Sequence, residues 1–144
     1  MSATQQTVTR VRRWVRMFKP QFAGMVADGR KCQTVRPVPK RMPQPGDTIS
    51  LRCWEGKPYR SKQKVLREAV ITEVQRIDID DRGFVWLDDF RIKFLSDWEK
   101  FTAADGFPKP EDFIEWFRQQ HGLPFTGIVL HWENQKDQPP EARQ

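Results

Sequence analysis

Residues 29–36 of the chain read Gly-Arg-Lys-Cys-Gln-Thr-Val-Arg. The order G-x-K-x-x-T-x-R brings a lysine ammonium, a threonine hydroxyl and an arginine guanidinium to the junction between a turn and a strand. Because side chains alternate along a strand, Thr34 and Arg36 share one face. Lys31 joins them only if it lies on the turn after Gly29. The motif then forms a pocket for an oxygen-rich anionic or nucleoside-like ligand; the alternative is that these are solvated strand residues.

The segment before the motif has the pattern of a short helix. Pro20 suits the first helical turn because its φ angle is already helical. Apolar residues then recur at helical spacing from Phe22 to Val26. Gly29 falls where a left-handed C-terminal cap is expected. We therefore expect a helix that ends at Gly29, followed by a strand over about 32–36.

The rest of the chain predicts a mixed α+β fold. Further strands are expected at 11–18, 48–54, 68–79, 84–92 and 126–132. A proline-rich loop over 37–46 separates the motif from the next strand. Two helices follow the strands, one with a Ser96–Glu99 capping box and one opened by Pro110. This order predicts a small mixed β-barrel with helices that cover its openings.

Length and hydropathy are typical of one domain with one core. The 144 residues contain no apolar run near the roughly 20 residues that a membrane span requires. Residues 1–9 are polar and lack the apolar stretch of a signal peptide, so we expect a cytoplasmic protein. We expect a disordered lead at 1–9, a domain at 10–133 and a disordered tail at 134–144. The sequence leaves the oligomeric state open.

The cysteines and glycines indicate no metal site or cofactor. Cys32 and Cys53 lack metal-ligand spacing and are too few for a disulfide framework, so we expect reduced structural thiols. A glycine-rich phosphate loop and a dinucleotide fingerprint are both absent from the sequence. We expect neither a metal nor a cofactor.

Charge is distributed unevenly along the chain. Residues 10–67 carry 16 Lys/Arg against three Asp/Glu, a net of +13, whereas residues 68–144 carry a net of −7. Such a basic half suits a phosphate-rich partner. The alternative is a folded domain in which the basic and acidic residues, although separate in sequence, are mixed on the surface.

The basic segment 57–64 is a second candidate for contact with nucleic acid. Arg60 and Lys62 would follow a phosphate backbone while Tyr59 stacks on a base, with Trp54 as a second aromatic or a core residue. The alternative is a charged surface loop that serves only solubility.

Several stretches together resemble the ASCH domain, a branch of the PUA-like superfamily. They are the helix with its capping glycine, the motif, the proline loop with Gly46-Asp47, and the later stretch Asp105-Gly106-Phe107 followed by helical residues. The resemblance covers about residues 11–132. It implies a PUA-like β-barrel with a cleft beside the motif and an RNA-related role.

The resemblance also implies roles for particular residues. Some similar proteins hydrolyse N4-acetylcytidine with the motif lysine and threonine and a downstream glutamate, and others cut single-stranded RNA. Lys31 and Thr34 occupy the motif positions here. The glutamate position is Asp105, which is one methylene shorter, whereas Glu111 keeps the residue type but lies off the pattern.

Three functions follow as hypotheses. The first is a module that binds RNA or a modified nucleoside in a cleft lined by Lys31, Thr34 and Arg36. The second is a hydrolase of the same cleft, with Lys31 as base, Thr34 as nucleophile and Asp105 or Glu111 as proton donor or positioning group. The third is a protein-interaction domain that docks through a tryptophan-rich surface.

Overall fold

Residues 11–134, the part of the chain that this computed structural model describes, form three helices and a seven-stranded sheet. The strands are β1 (Arg13–Met17), β2 (Gln33–Pro37), β3 (Thr48–Trp54), β4 (Gln63–Ile79), β5 (Val85–Leu87), β6 (Phe90–Arg91) and β7 (Phe125–Asn134). The helices are α1 (Pro20–Asp28), α2 (Leu95–Ala104) and α3 (Pro110–Gln120). The expected lead and tail lie outside the described residues, except for Asn134 at the end of β7.

The long strand β4 organises the sheet because it carries partners on both edges. It pairs antiparallel with β3 along its first half, with β7 along its second half and with β5 at its end. The parallel partner of β3 is β1, and the antiparallel partner of β7 is β2. Three branches therefore leave β4: one ends at β1, one at β2 and a short one at β6.

The sheet is not closed, which corrects the expected β-barrel while keeping the mixed α+β class. Within the described residues β1 and β2 do not pair with each other. Instead, the Arg36 guanidinium of β2 donates to the Met17 carbonyl oxygen at the end of β1, over 2.9 Å. The chain leaves β1 directly into α1, which packs against β3 and β4. The Arg36 side chain and helix α1 thus connect the branch that ends at β1 with the branch that ends at β2, where a strand ladder would close a barrel.

The expected capping box of α2 is also corrected. The helix begins at Leu95, with Phe94 at the N-cap position and no side-chain hydrogen bond to the cap. Ser96 therefore lies inside the first turn. The Trp98 ring packs on the rings of Phe101 in the same helix and Phe113 in α3.

The single strand expected at 84–92 is two short strands, β5 and β6. Asp88 interrupts it with a φ of 55°, a conformation that Asp tolerates better than most residues. The Asp88 carboxylate accepts the Arg76 backbone N–H at 3.0 Å, which fixes the turn against β4.

An aromatic cluster beside the sheet holds α2 and α3 together. Phe113 is fully buried and its ring contacts four others, those of Trp98, Phe101, Phe107 and Phe117. Rings of this kind add edge-to-face attraction to the area that they bury. Phe113 and Phe117 of α3 are therefore core residues, whereas Trp116 on the same side of the helix is only partly buried.

Phe113→Ala should lower the free energy of unfolding by about 3–5 kcal/mol, because it removes a buried ring and leaves a cavity. Chemical denaturation measures the change. Phe90→Ala is the matched control, since the Phe90 ring is 79% exposed and its loss should change stability by less than about 0.5 kcal/mol. Equal losses in the two variants would contradict this account of the core.

Candidate functional site

The turn between α1 and β2 aims Lys31 away from the sheet. Gly29 caps α1 in the left-handed conformation, with a φ of 89°, as the sequence predicts. The Lys31 backbone N–H then donates to the Met25 carbonyl at 2.9 Å, and the Cys32 N–H donates to the Ala104 carbonyl at 3.0 Å. The lysine therefore precedes the strand and is held between the ends of α1 and α2.

The Lys31 side chain is almost completely buried, with 3% of its surface exposed. Its ammonium donates to the Asp105 carbonyl oxygen and lies 3.7 Å from the Asp105 carboxylate oxygen Oδ2. The rings of Phe22 and Phe18 lie 5.0 and 5.8 Å from the same nitrogen. Burial lowers the pKa of Lys31 below its ordinary value, against the opposing attraction of Asp105.

Asp105 lies at the C-terminal end of α2 and is the only carboxylate among the described residues that line this region. Burial raises the pKa of Asp105 to about 6, although Lys31 and a hydrogen bond from Gln33 act in the opposite direction. The Gln33 amide donates to Asp105 Oδ1 and to the Phe101 carbonyl oxygen, both at 3.3 Å. Gln33 thus holds the carboxylate against the helix end.

Gly106 makes room for the lysine. Its φ of +94° is a conformation that other residues rarely adopt. A Cβ at this position would lie 3.1 Å from Lys31 Cδ and 3.2 Å from Phe22 Cδ1, closer than ordinary van der Waals contact. The stretch after Asp105 therefore packs directly on the aliphatic part of Lys31.

Thr34 and Arg36 project together from β2, as strand alternation predicts. Arg36 Nε donates to Thr34 Oγ1 at 3.1 Å, and the guanidinium lies 5.0 Å from the Phe18 ring. Burial, reinforced by the charge of Arg16, lowers the pKa of Arg36 to about 10. Since a hydroxyl both donates and accepts, Thr34 keeps its own proton available for a further partner.

These side chains line one pocket of about 270 Å³ beside the seam between β1 and β2. Lys31, Thr34, Arg36 and Asp105 all contribute to its surface. The aromatic part of its wall consists of Phe18, Phe22, Phe107, Trp116 and Phe117. Three cations (Lys19, Lys31 and Arg36), one hydroxyl and one carboxylate therefore meet several aromatic rings in one pocket.

The other residues expected at the site lie elsewhere. Glu111 lines a separate, more open groove with Arg82 and Trp98, and it does not line the pocket. The helix cap Gly29 is outside the pocket lining as well. Trp54 is the last residue of β3 and lies outside the pocket lining. The connection from β3 to β4, also outside the lining, contains Tyr59, Arg60 and Lys62. Of the two carboxylates that the sequence leaves open, Asp105 is the one beside Lys31.

Part of the pocket comes from residues that the sequence does not mark. Lys19 Nζ donates to Gln120 Oε1 at 3.2 Å and lies 4.9 Å from the Trp116 ring, which joins the start of α1 to α3. His121 follows α3 and also lines the pocket, and burial together with Arg36 and Lys19 lowers the pKa of His121. The contacting residues lie about 100 positions apart in the sequence, so no local sequence pattern predicts these contacts. Gln33, by contrast, lies inside the motif and alternation alone places it on the opposite face from Thr34.

Neither Cys32 nor Cys53 forms a disulfide within the described residues, and Cys53 is buried. Between residues 11 and 134, no group of three or more His, Cys, Asp or Glu side chains is arranged to hold a metal ion. None of the helices in the same range combines the length and the apolar character that a bilayer span requires.

Comparison with solved structures identifies the fold. The crystal structure of ASCH from Zymomonas mobilis matches 83% of this chain and 66% of its own, with a TM-score of 0.52 and 14% identity. The chain has an ASCH-like fold. A second crystal structure, that of the hypothetical protein PH0355, matches 85% of this chain and 98% of its own, with a TM-score of 0.51 and 15% identity. No protein-family model and no curated protein matches the sequence.

At 14–15% identity the likeness concerns the fold alone. The fold agrees with the ASCH resemblance seen in the sequence. The chemistry of the pocket is inferred from the residues of this chain alone.

The Asp105 carboxyl group should make stability depend on pH. The folded-state pKa of about 6 lies above the ordinary value of 3.8, so the folded protein binds the extra proton between these values. The Asp105 contribution to stability is therefore full at low pH and is lost as pH rises from about 4 to about 6. Asp105→Asn should remove this decrease, which urea denaturation across that range measures as the difference between wild type and variant.

Asp81→Asn is the control for the same measurement, because Asp81 lies in an exposed turn. The stability of the Asp81→Asn variant should depend on pH in the same way as that of the wild type. A difference between wild type and Asp105→Asn that stays constant from pH 4 to pH 6 would contradict the assigned shift in pKa.

Proposed function

We propose that the pocket binds a single nucleoside unit, either a free modified nucleoside or one nucleotide of an RNA. The ASCH-like fold supports an RNA-related role at the coarse level. The observation that carries the proposal is the convergence of Lys31, Thr34 and Arg36 on one aromatic-walled pocket. Ring faces suit a base, and buried cations with a hydroxyl suit the oxygens of a base, sugar or phosphate.

The size of the pocket supports one nucleoside rather than a longer ligand. Its volume of about 270 Å³ is slightly smaller than that of typical pockets for drug-sized ligands. Three cations and one carboxylate line it, so the pocket favours an electron-rich partner. Arg36 is fixed by Thr34 and by the Met17 carbonyl, so little side-chain ordering remains to be done on binding.

Arg36→Gln should weaken binding of a cytidine monophosphate or of N4-acetylcytidine by about 10- to 100-fold, the effect typical of losing a charge-assisted hydrogen bond. Isothermal titration calorimetry with a panel of nucleosides and nucleotides measures the affinity. Arg118→Gln has the same change of charge at an exposed ion pair with Glu115 and should bind like the wild type. Equal affinities of wild type and Arg36→Gln would contradict the proposed role of the pocket.

A second candidate function is hydrolysis of an acylated cytidine in the same pocket. The observation that favours it is a buried lysine with a lowered pKa beside an aspartate with a raised pKa, in a pocket that a threonine hydroxyl also lines. Titratable groups whose environments shift them in this way are frequent in active sites. The same pocket thus offers a base, a nucleophile and an acid.

The chemistry would proceed in two steps. Lys31, in its neutral form, accepts the proton of Thr34 Oγ1 while the oxygen attacks the acetyl carbon. The Lys31 ammonium then returns this proton to the cytidine amine as the carbon–nitrogen bond breaks. Water then cleaves the threonine ester and releases acetate. Arg36, which already donates to Thr34 Oγ1, favours the developing negative charge. Lys31 must first exchange its bond to the Asp105 carbonyl for one to Thr34.

Thr34→Val should abolish release of acetate from N4-acetylcytidine, because valine keeps the shape of threonine without the nucleophile. Thr34→Ser should retain measurable turnover, and Lys31→Met should lose it. Chromatographic detection of cytidine follows the reaction. Wild-type turnover in Thr34→Val would exclude this mechanism. Absence of turnover in the wild type would exclude the hydrolase, while calorimetry decides separately on binding.

A further inference from the structure

We propose that the tip of the β3–β4 hairpin, residues 55–64, is a second contact site for single-stranded RNA. At this hairpin tip Tyr59 stacks on a base, and the surrounding cations contact phosphates. The inference rests on the proposed function of the pocket and deepens it, because it assigns a polymer rather than a free nucleoside as the ligand.

The first observation is the presentation of Tyr59. Its side chain is 88% exposed, and its backbone has a φ of 64°, which is uncommon for a bulky residue. The Trp54 ring packs beside it, with the two ring centroids 5.0 Å apart and the ring planes at an angle of 50°. An uncommon backbone conformation that displays an aromatic ring is typical of ligand contacts.

The hairpin tip is held rigidly. The Glu55 N–H donates to the Lys62 carbonyl at 2.9 Å, which closes the base of the tip. Inside it, Ser61 Oγ accepts the Gly56 N–H and donates to the Lys57 carbonyl, each at 2.9 Å. These bonds fix the backbone around Tyr59, which reduces the conformational entropy that base stacking costs.

The charge of the tip suits phosphate. Its four cations, all of them on exposed residues, are Lys57, Arg60, Lys62 and Lys64. Glu55 is the one acidic residue of the segment. None of the ion pairs in the described part of the chain involves these cations. Cations around an exposed ring match the pattern of single-strand binding, in which the ring stacks on a base and the cations follow the backbone.

The hairpin tip and the pocket are joined by one strand end. Met17 and Phe18 line the pocket, and the Phe18 N–H donates to the Arg52 carbonyl of β3 at 2.8 Å. From Arg52 the strand continues for two residues to Trp54, roughly 7 Å at the usual rise of a strand. Neighbouring nucleotides of a strand with one base in the pocket therefore lie within reach of Tyr59.

Fluorescence anisotropy with a labelled ten-nucleotide single-stranded RNA at low salt tests the inference. Tyr59→Ala should weaken binding by about five- to 100-fold, the effect typical of losing one base–aromatic stack. Tyr59→Phe should bind within about twofold of the wild type, because it keeps the ring. Phe90→Ala removes another largely exposed ring, from the β5–β6 hairpin, and should leave the affinity for RNA unchanged.

Calorimetry with a single nucleoside separates the two proposals. The inference is supported if Tyr59→Ala loses affinity for the RNA but binds the nucleoside like the wild type. It is overturned if Tyr59→Ala binds the RNA with wild-type affinity, in which case the pocket proposal stands. It is overturned as well if the hairpin tip binds anionic lipid vesicles but not RNA. If wild-type protein binds neither RNA nor nucleosides, the proposed function fails first.

Discussion

The contact between the Lys31 ammonium and the C-terminal end of α2 is the interaction on which the site depends. A buried ammonium is costly unless nearby groups replace its water, and here the Asp105 carbonyl, the Asp105 carboxylate and two aromatic rings do so. The same contact ties the turn before β2 to α2. The position of α2 and the burial of the Lys31 ammonium therefore depend on each other, since moving α2 would remove the groups that replace water around the lysine.

The open seam of the sheet is the second constraint. Where a barrel would join β1 to β2, Arg36 reaches across to the Met17 carbonyl, and the pocket lies beside this bridge. A strand ladder at this position would satisfy the same backbone groups but would leave no room for a ligand. α1 and α3 supply the aromatic walls because the sheet does not close over them.

Local patterns in the sequence predict most of the helices and strands and the three motif residues of the pocket, Lys31, Thr34 and Arg36. Helical spacing and the capping Gly29 locate α1, and alternation places Thr34 and Arg36 on one face. The turn position of Lys31 also follows from the motif. Sequence reasoning fails where distant segments meet: the missing barrel closure, the start of α2 at Leu95, and the α3 residues of the pocket wall. These features depend on packing between elements, which periodicity does not encode.

The most direct test of the account is an NMR titration of the lysine side chains, with the Lys31 resonance assigned by its absence in Lys31→Met. The account predicts that Lys31 titrates at lower pH than the exposed lysines, because burial opposes its charge. It also predicts that a bound nucleoside shifts this resonance. Titration of Lys31 together with the surface lysines, and no response to a nucleoside that binds the protein, would contradict it.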